Sequence, residues 1–270
     1  MIFRKYKKGL HYLSNTLFKK KEYHYSYRMK NIPSVPVPGI IGGLGPASTV
    51  DYYNGIISEY RKVVKQDVYP QIIINSVNMT DILDDVAAKS YASLTAKLAD
   101  AVLQLKNAGA DFALIASNTP HVVFDELEKV SSLPLISIVD SAVSYTAAHG
   151  WKRILFTGTL FTMNNMFYPE KFTKAGIECI MPPPEDREKI HHIIFPDLEA
   201  GIITPEMKKD FLAVCNPIIN AAAAGKMPVE AVVLGCTEIP LLIHDGDLPL
   251  PVINTTAIHI TAAVNYMCRQ

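Results

Sequence analysis

The sequence has few cysteines, and none of them has the spacing of a metal site. Four occur in 270 residues, at Cys179, Cys215, Cys236 and Cys268, without a C-x-x-C pair or a zinc-like arrangement with histidines. We therefore expect free thiols and no bound metal. Runs of about 18 apolar residues are also lacking, which argues against a transmembrane helix, and residues 1–33 lack the apolar stretch of a signal peptide. These absences predict a cytoplasmic protein without stable membrane insertion.

The chain has no net charge, but its charges are unevenly distributed. Residues 1–38 contain nine of the 26 Lys and Arg residues but only one of the 26 Asp and Glu residues. The rest of the chain therefore has 17 basic and 25 acidic residues, a net charge of −8. Because a nucleic-acid-binding protein keeps its positive field on the folded body, nucleic acid is not an expected partner. The composition of residues 1–30 is compatible with a membrane-surface arm, a transit-like segment or an extension without function. A fourth interpretation is that Met29 is the natural start of the protein. We expect residues 1–37 to form a disordered basic extension.

From Gly39 onward, short apolar runs alternate with amphipathic segments. Helices are predicted after Pro46, which suits a first helical turn, and before Gly109, which suits a helix stop. Eight runs have the length and composition of buried strands: 39–43, 71–77, 111–117, 133–139, 153–158, 176–180, 230–235 and 250–255. This alternation predicts an α/β fold of βαβ units, with mainly parallel sheets flanked by helices.

Segments 111–117 and 230–236 resemble each other. Each begins with an acid, continues through five residues of a buried strand, and ends in a small nucleophilic side chain, Ser117 or Cys236. Both continue into a polar turn and a proline. Since ligands bind beyond the carboxyl ends of parallel strands, we expect Ser117 and Cys236 to face one cleft.

Cys236 lies between a predicted strand and a predicted helix start. Exposed N–H groups at such a position stabilise a thiolate, so we expect the pKa of Cys236 to fall from about 8.5 toward neutrality. A second group of donors lies in residues 43–49, where Gly45 allows the backbone to approach a small anion. This stretch lacks the G-x-G-x-x-G and GK[ST] patterns, which disfavours a nucleotide.

Further polar residues follow two of the strands. Asn118 and Thr119 offer donors for a carboxylate at a helix start, and His121 suits a packing role better than that of a general acid. After strand 153–158 come Thr159 and Thr162 with Tyr168, and Lys189 is the cation best placed to meet a second carboxylate.

Taken together, these motifs resemble the aspartate/glutamate racemase superfamily, and in particular its broad-specificity amino-acid racemase branch. The matching segments are 39–53, 116–121, 158–159 with Thr162, 185–195 and 234–238. The resemblance implies two pseudo-symmetric α/β domains with the active site in the cleft between them, no cofactor and a homodimer. We assign residues 38–139 with 256–270 to the first domain, and residues 140–255 to the second.

In that family two cysteines flank the α-carbon of the substrate; one removes its proton, and the other delivers a proton to the opposite face. The second cysteine corresponds to Cys236, whereas Ser117 stands in place of the first. The resemblance implies that a further set of residues binds substrate: Asn118, Thr119, Thr237, Lys189, Gly45, Thr159 and Thr162.

The serine predicts asymmetric chemistry, because a hydroxyl needs an adjacent base before it accepts a proton at a useful rate. We therefore expect Cys236 to be the main acid and base, with Ser117 as a weak or water-assisted partner. Aspartate racemases of the family carry an arginine after the second strand, but residues 75–85 contain none. The substrate could then be glutamate, aspartate held by Lys189, or a less acidic amino acid.

Two other functions remain open. Relatives with a single cysteine decarboxylate or isomerise small dicarboxylic acids, which also requires only one thiol. A non-catalytic amino-acid-binding protein is the third interpretation.

Overall fold

The computed structural model describes residues 35–225 and 228–268. Most of the predicted extension, residues 1–37, therefore lies outside the described residues. Among the described helices, none combines the length and the apolar character needed to cross a membrane.

The first half of the described chain forms a four-stranded parallel sheet in the order β2-β1-β3-β4. Its elements are β1 (Pro38–Gly42), α1 (Pro46–Val64), β2 (Ile73–Ser76), α2 (Met79–Ala87), α3 (Tyr91–Asn107), β3 (Phe112–Ile115), a 3₁₀ turn (Thr119–Val123), α4 (Phe124–Val130) and β4 (Leu135–Ile136). Strands β1 and β3 are buried along their whole length, as expected of central parallel strands that are covered on both faces.

The second half repeats this topology, with a parallel sheet in the order β6-β5-β7-β8. Its elements are α5 (Ile138–Ala148), β5 (Arg153–Gly158), α6 (Leu160–Asn164), α7 (Phe167–Lys174), β6 (Glu178–Ile180), α8 (Pro184–Ile193), a π-helical turn (Ile194–Leu198), α9 (Pro205–Ala224), β7 (Ala231–Gly235), α10 (Ile239–Leu242), β8 (Val252–Asn254) and α11 (Thr255–Cys268). The predicted α/β class with two similar halves is confirmed.

The last helix, α11, follows the second sheet in the chain but buries much of its apolar face in the core of the first half. Its buried residues Ile260, Val264 and Met267 belong to the same apolar cluster as Ile40 of β1 and Tyr52 of α1. The chain thus returns to its first sheet after completing the second.

All eight predicted strands form, although several are shorter than the apolar runs that predicted them. Segment 133–139 is one example, because only Leu135–Ile136 pairs as a strand. The Ser137 side chain accepts a hydrogen bond from the backbone N–H of Asp140 at 3.0 Å and caps helix α5. The cap ends the strand, so the apolar residues Ile138 and Val139 become the first buried turn of a helix.

Candidate active site

A cavity lies at the carboxyl ends of both sheets and is lined from both halves of the fold. The first half contributes Leu44, Met79, Ile82, Leu83, Ser117, Asn118, Thr119 and Pro120. The second half contributes Thr159, Thr162, Phe195, Glu199, Gly235, Cys236, Thr237 and Glu238. Seven of the nine predicted site residues therefore line one cavity, and the exceptions are Gly45 and Lys189.

Lys189 lies outside this cavity, contrary to the expectation that it binds a substrate carboxylate. Its ammonium pairs with Asp186 at 2.7 Å, one turn earlier in α8, and 61% of its side chain is exposed. The hydrogen bond from Lys189 to Asp186 raises the pKa of its ammonium. The structure does not bring Lys189 to the cavity, because Lys189 occupies a solvent-facing position of its helix, where the i,i+3 carboxylate holds it.

Gly45 is not part of the cavity lining, and its neighbours suggest a supporting role instead of contact with substrate. Its φ angle is +127°, and a Cβ atom at this position would lie 2.5 Å from Glu238 Oε1 and 3.2 Å from Glu199 Oε1. A residue with a side chain would be strained here and would also collide with these carboxyl groups. Gly45 therefore provides the space that the two glutamates occupy.

Asn118 has an orientation that is fixed by Tyr168. The Tyr168 hydroxyl donates a short hydrogen bond to Asn118 Oδ1, and both side chains are buried. Burial raises the pKa of Tyr168 well above its usual range, which keeps this hydroxyl protonated as a donor. Asn118 Nδ2 is buried without a partner among the described residues. Since an unpaired buried amide is costly, this N–H group is suited to a ligand in the cavity.

The residues that the second half of the fold contributes to the cavity form its second wall, and those of the first half form its first wall. Thr159 and Thr162 form a fixed pair on the second wall. Thr159 is the N-cap of α6, and its Oγ1 accepts a hydrogen bond from the Thr162 backbone N–H at 3.3 Å. The two hydroxyl oxygens are 2.9 Å apart. Their hydroxyl groups therefore satisfy each other in part, and together they give this wall a polar surface.

His121 lies beside the cavity and has a packing role. Its Nε2 accepts a hydrogen bond from the Ile138 backbone N–H at 3.3 Å, and its ring stacks on Phe124. Burial, with a smaller effect of His259, lowers the pKa of His121 to about 3, so the ring is neutral. Nothing in this arrangement makes His121 a general acid for the cavity.

The environment of Cys236 differs from the one that the sequence predicts. Its thiol donates a hydrogen bond to Glu238 Oε2 at 3.0 Å, and only 5% of the residue is exposed. Burial and the Glu238 carboxylate raise the pKa of Cys236 well above its ordinary value. The expected lowering was wrong because helix α10 begins only at Ile239 and is a single turn. Burial and the adjacent carboxylate therefore outweigh any stabilisation by helix N–H groups.

Two glutamates that the sequence analysis did not assign to the site complete this wall. Glu238 is 2% exposed, and its Oε2 also accepts a hydrogen bond from the Thr237 hydroxyl at 2.9 Å. Burial and Glu238 raise the pKa of Glu199 to about 8, so Glu199 is protonated at neutral pH. The signal for Glu238 was its position next to Cys236 and Thr237, whereas no motif surrounds Glu199.

The titratable side chains that line the cavity, within the described part of the chain, are Glu199, Cys236 and Glu238. All three come from the second half of the fold, and no such group lies on the Ser117 wall. Their ligand atoms lie within 4.8 Å of one another, the only described cluster of His, Cys, Asp and Glu that could hold a metal ion. The cluster offers no histidine, and its thiol and the Glu238 carboxylate already share a hydrogen bond.

The fold and cavity define a class of protein: two similar parallel α/β halves, with a cavity lined from both halves by a buried thiol and several hydrogen-bond donors. The profile of the Asp/Glu/hydantoin racemase family matches residues 41–263. The chain belongs to this family and is an enzyme of the isomerase class.

Individual relatives match over nearly their whole length. A candidate Asp/Glu racemase from Yersinia pestis is 33% identical with a TM-score of 0.78, and the match covers 87% of this chain and 100% of that one. An aspartate racemase homologue from Pyrococcus horikoshii is 30% identical with a TM-score of 0.76, at the same coverage. The broad specificity amino-acid racemase RacX of Bacillus subtilis is 21% identical over 236 residues, which span 86% of this chain and 99% of RacX.

Proposed function

We propose that this chain is a cofactor-independent amino-acid racemase in which Cys236 exchanges the α-proton and Ser117 acts as a weak or water-assisted partner. The observation that carries the proposal is the position of these two residues. Ser117 follows β3 and Cys236 follows β7, which are equivalent strands of the two sheets, and both line one cavity. A substrate in that cavity would have one of them on each side.

The proposed chemistry begins at the substrate carboxylate. Asn118 Nδ2 and the hydroxyls of Thr119 and Thr237 hold this group and stabilise the negative charge that spreads onto it. The Cys236 thiol first gives its proton to the adjacent Glu238 carboxylate, which it already contacts at 3.0 Å. The Cα–H bond then breaks, its electron pair delocalises into the substrate carboxylate, and the proton forms an S–H bond with the Cys236 thiolate. The opposite face then takes a proton from the Ser117 hydroxyl, or from a water that Ser117 orients. Exchange with solvent returns both residues to their starting protonation.

We further propose that the substrate has an uncharged side chain. Six lining residues have apolar side chains, and no Lys, Arg or His lines the cavity in the described part of the chain. A side-chain carboxylate would be buried beside Glu199 and Glu238 without a cation, which costs several kcal/mol. Because Lys189 lies on the surface, aspartate loses the residue that the sequence analysis offered to hold its side chain.

One observation favours a second function, the decarboxylation of a small dicarboxylic acid. Burial and the adjacent Glu238 carboxylate keep Cys236 protonated at rest, so its thiol is a ready proton donor. In a decarboxylation the C–CO₂ bond breaks, the electron pair stays on carbon, and the thiol protonates that carbon before regaining a proton from water. The lack of a lining cation counts against this function, because two carboxylates would then need to be bound.

The experiment that separates these functions is a substrate panel in D₂O. The purified protein is incubated with leucine, methionine and glutamate as separate enantiomers, and α-proton loss is followed by NMR; release of CO₂ from small dicarboxylic acids is measured in parallel. We expect exchange with the uncharged amino acids and little with glutamate. Strong exchange confined to glutamate would contradict the proposed substrate class, and CO₂ release without exchange would favour the second function. Calorimetric binding with neither reaction would indicate the non-catalytic protein.

A further inference from the structure

Two carboxyl groups lie close to the Cys236 thiol and to each other. Glu238 Oε2 lies 3.0 Å from the thiol, which donates to it. The other oxygen, Glu238 Oε1, and Glu199 Oε1 both approach Gly45. Ligand atoms of the two glutamates and of Cys236 lie within 4.8 Å of one another, so the three side chains form one compact cluster.

Glu238 Oε1 is a buried acceptor that no N–H or O–H donor of the described residues reaches. A buried carboxylate oxygen without a donor is strongly destabilising, so its partner must be sought nearby. A protonated Glu199 supplies that donor, since two adjacent buried carboxyls cannot both be ionised at low cost. The high pKa of Glu199, about 8, agrees with a proton shared by the pair.

The groups around the pair do not neutralise its charge. Burial raises the pKa of Glu238, and Asp51 of helix α1 adds a smaller effect in the same direction. Helix α1 also presents Tyr52, whose own pKa is raised by burial and by Glu238. The Tyr52 hydroxyl shares a hydrogen bond of 2.7 Å with His259 Nδ1. Burial lowers the pKa of His259 to about 4, so this histidine is neutral as well. No cation is among the main groups of the described chain that shift the pKa of Glu199 or Glu238.

We propose that Glu199 and Glu238 share a single proton in the resting enzyme and so prepare Cys236 for catalysis: protonated Glu199 donates a hydrogen bond to Glu238 Oε1, and Glu238 Oε2 accepts the thiol proton when Cys236 becomes the base. The catalytic consequence rests on the proposed racemase function, whereas the arrangement of protons does not. Both glutamates are positioning residues, because each acts on substrate through Cys236.

In this step the proton moves from Cys236 to Glu238, so no proton enters or leaves the cluster of Cys236, Glu238 and Glu199. The S–H bond breaks and leaves its electron pair on sulfur, while an O–H bond forms at Glu238 Oε2, so the total charge of the wall is unchanged. Substrate Cα then gives its proton to the thiolate. When Glu199 loses its own proton at higher pH, the wall gains a full negative charge, and both thiolate formation and binding of the substrate carboxylate become less favourable.

The first test is the pH dependence of α-proton exchange in Glu199→Gln. A glutamine is isosteric and always neutral, and its amide can donate to Glu238 as the protonated acid does. We expect near-normal exchange at pH 7 in this variant. Above pH 8, kcat/KM of the wild type should fall relative to the variant, by about tenfold at pH 9, because a group with a pKa of about 8 is then about 90% ionised. If the ratio of kcat/KM in the wild type to kcat/KM in Glu199→Gln stayed constant from pH 6 to 9, the proposal of a shared proton would be overturned.

The second test compares catalysis with thiol reactivity in Glu238→Gln. We expect kcat for exchange to fall about 10²- to 10⁴-fold with little change in KM, since the acceptor for the thiol proton is lost. Alkylation of Cys236 by iodoacetamide, followed by mass spectrometry of its peptide, should become faster, because removing the adjacent carboxylate lowers the pKa of the thiol. If the exchange rate and the alkylation rate both rose, or both fell, the role of Glu238 as the acceptor of the thiol proton would be overturned.

Controls separate this proposal from structural damage and from the racemase function itself. Glu206→Gln removes a carboxylate from an exposed position of α9 and should leave both rates unchanged. If the wild type exchanges no amino acid, the racemase proposal fails, but the alkylation ratio of Glu199→Gln to wild type should still rise through pH 8. A constant alkylation ratio overturns the pair by itself. Loss of exchange after EDTA treatment with recovery on added Zn²⁺ would also overturn it, in favour of a bound cation.

Discussion

The Asn118 amide is the proposed donor to the substrate carboxylate, and Tyr168 determines which way it points. Tyr168→Phe removes the hydroxyl bonded to Asn118 Oδ1, so the amide can rotate away from the orientation that presents Nδ2. A neutral buried hydrogen bond contributes about 0.5–1.5 kcal/mol. Since about 1.4 kcal/mol is a factor of ten, KM should rise by about 2- to 13-fold. Asn118→Leu removes the donor itself; hydrogen bonds to charged groups contribute about 1.5–3 kcal/mol, so KM should rise about 10- to 150-fold.

The assay is a double-mutant cycle on KM and kcat of α-proton exchange. Tyr168 acts only through Asn118 in this account, so adding Tyr168→Phe to Asn118→Leu should cost no further affinity. Tyr145→Phe, which removes a tyrosine hydroxyl outside the cavity, serves as the control and should leave KM unchanged. Fully additive increases in KM would refute the reasoning, because they would mean that Tyr168 affects the substrate independently of the Asn118 amide.

Three further predictions concern single positions of the site. Cys236→Ala should reduce exchange at least 10²- to 10⁴-fold while thermal unfolding by circular dichroism shows an intact fold, and exchange at the wild-type rate would exclude the thiol as the acid and base. Ser117→Cys should raise racemisation by providing a titratable group on the first wall; an unchanged rate measured by chiral chromatography contradicts the proposed asymmetry. Gly45→Ala should lower the free energy of unfolding by roughly 1–3 kcal/mol in urea titration, since φ is +127° and the added Cβ meets Glu238; equal stability would show that the wall adapts.

The fold was predictable from the sequence because its strands are short apolar runs bounded by turn residues. That signal found all eight strands, including the buried β3 and β7. It did not give their ends, since Ile138 and Val139 are as apolar as the strand before them, and only the Ser137 cap assigns them to a helix. Local composition thus identified each element, while side-chain hydrogen bonds set its limits.

The site was only partly predictable. Ser117 and Cys236 could be paired because both follow similar strands, and strand ends meet at one edge of a parallel sheet. Lys189 was misplaced because a sequence does not show which face of a helix meets solvent. Glu199 was missed because it lies far from Cys236 in the chain and beside it in space, and the pKa of the thiol was misjudged because burial is a tertiary property.

The measurement that tests the central proposal most directly is α-proton exchange in D₂O from each enantiomer of one uncharged amino acid, with the purified wild-type protein and no added cofactor. If Cys236 is the only effective acid and base, exchange from one enantiomer should be clearly faster, and Cys236→Ala should abolish it. Equal rates from both enantiomers would contradict the asymmetry between Cys236 and Ser117. Exchange that persists in Cys236→Ala would contradict the mechanism as a whole.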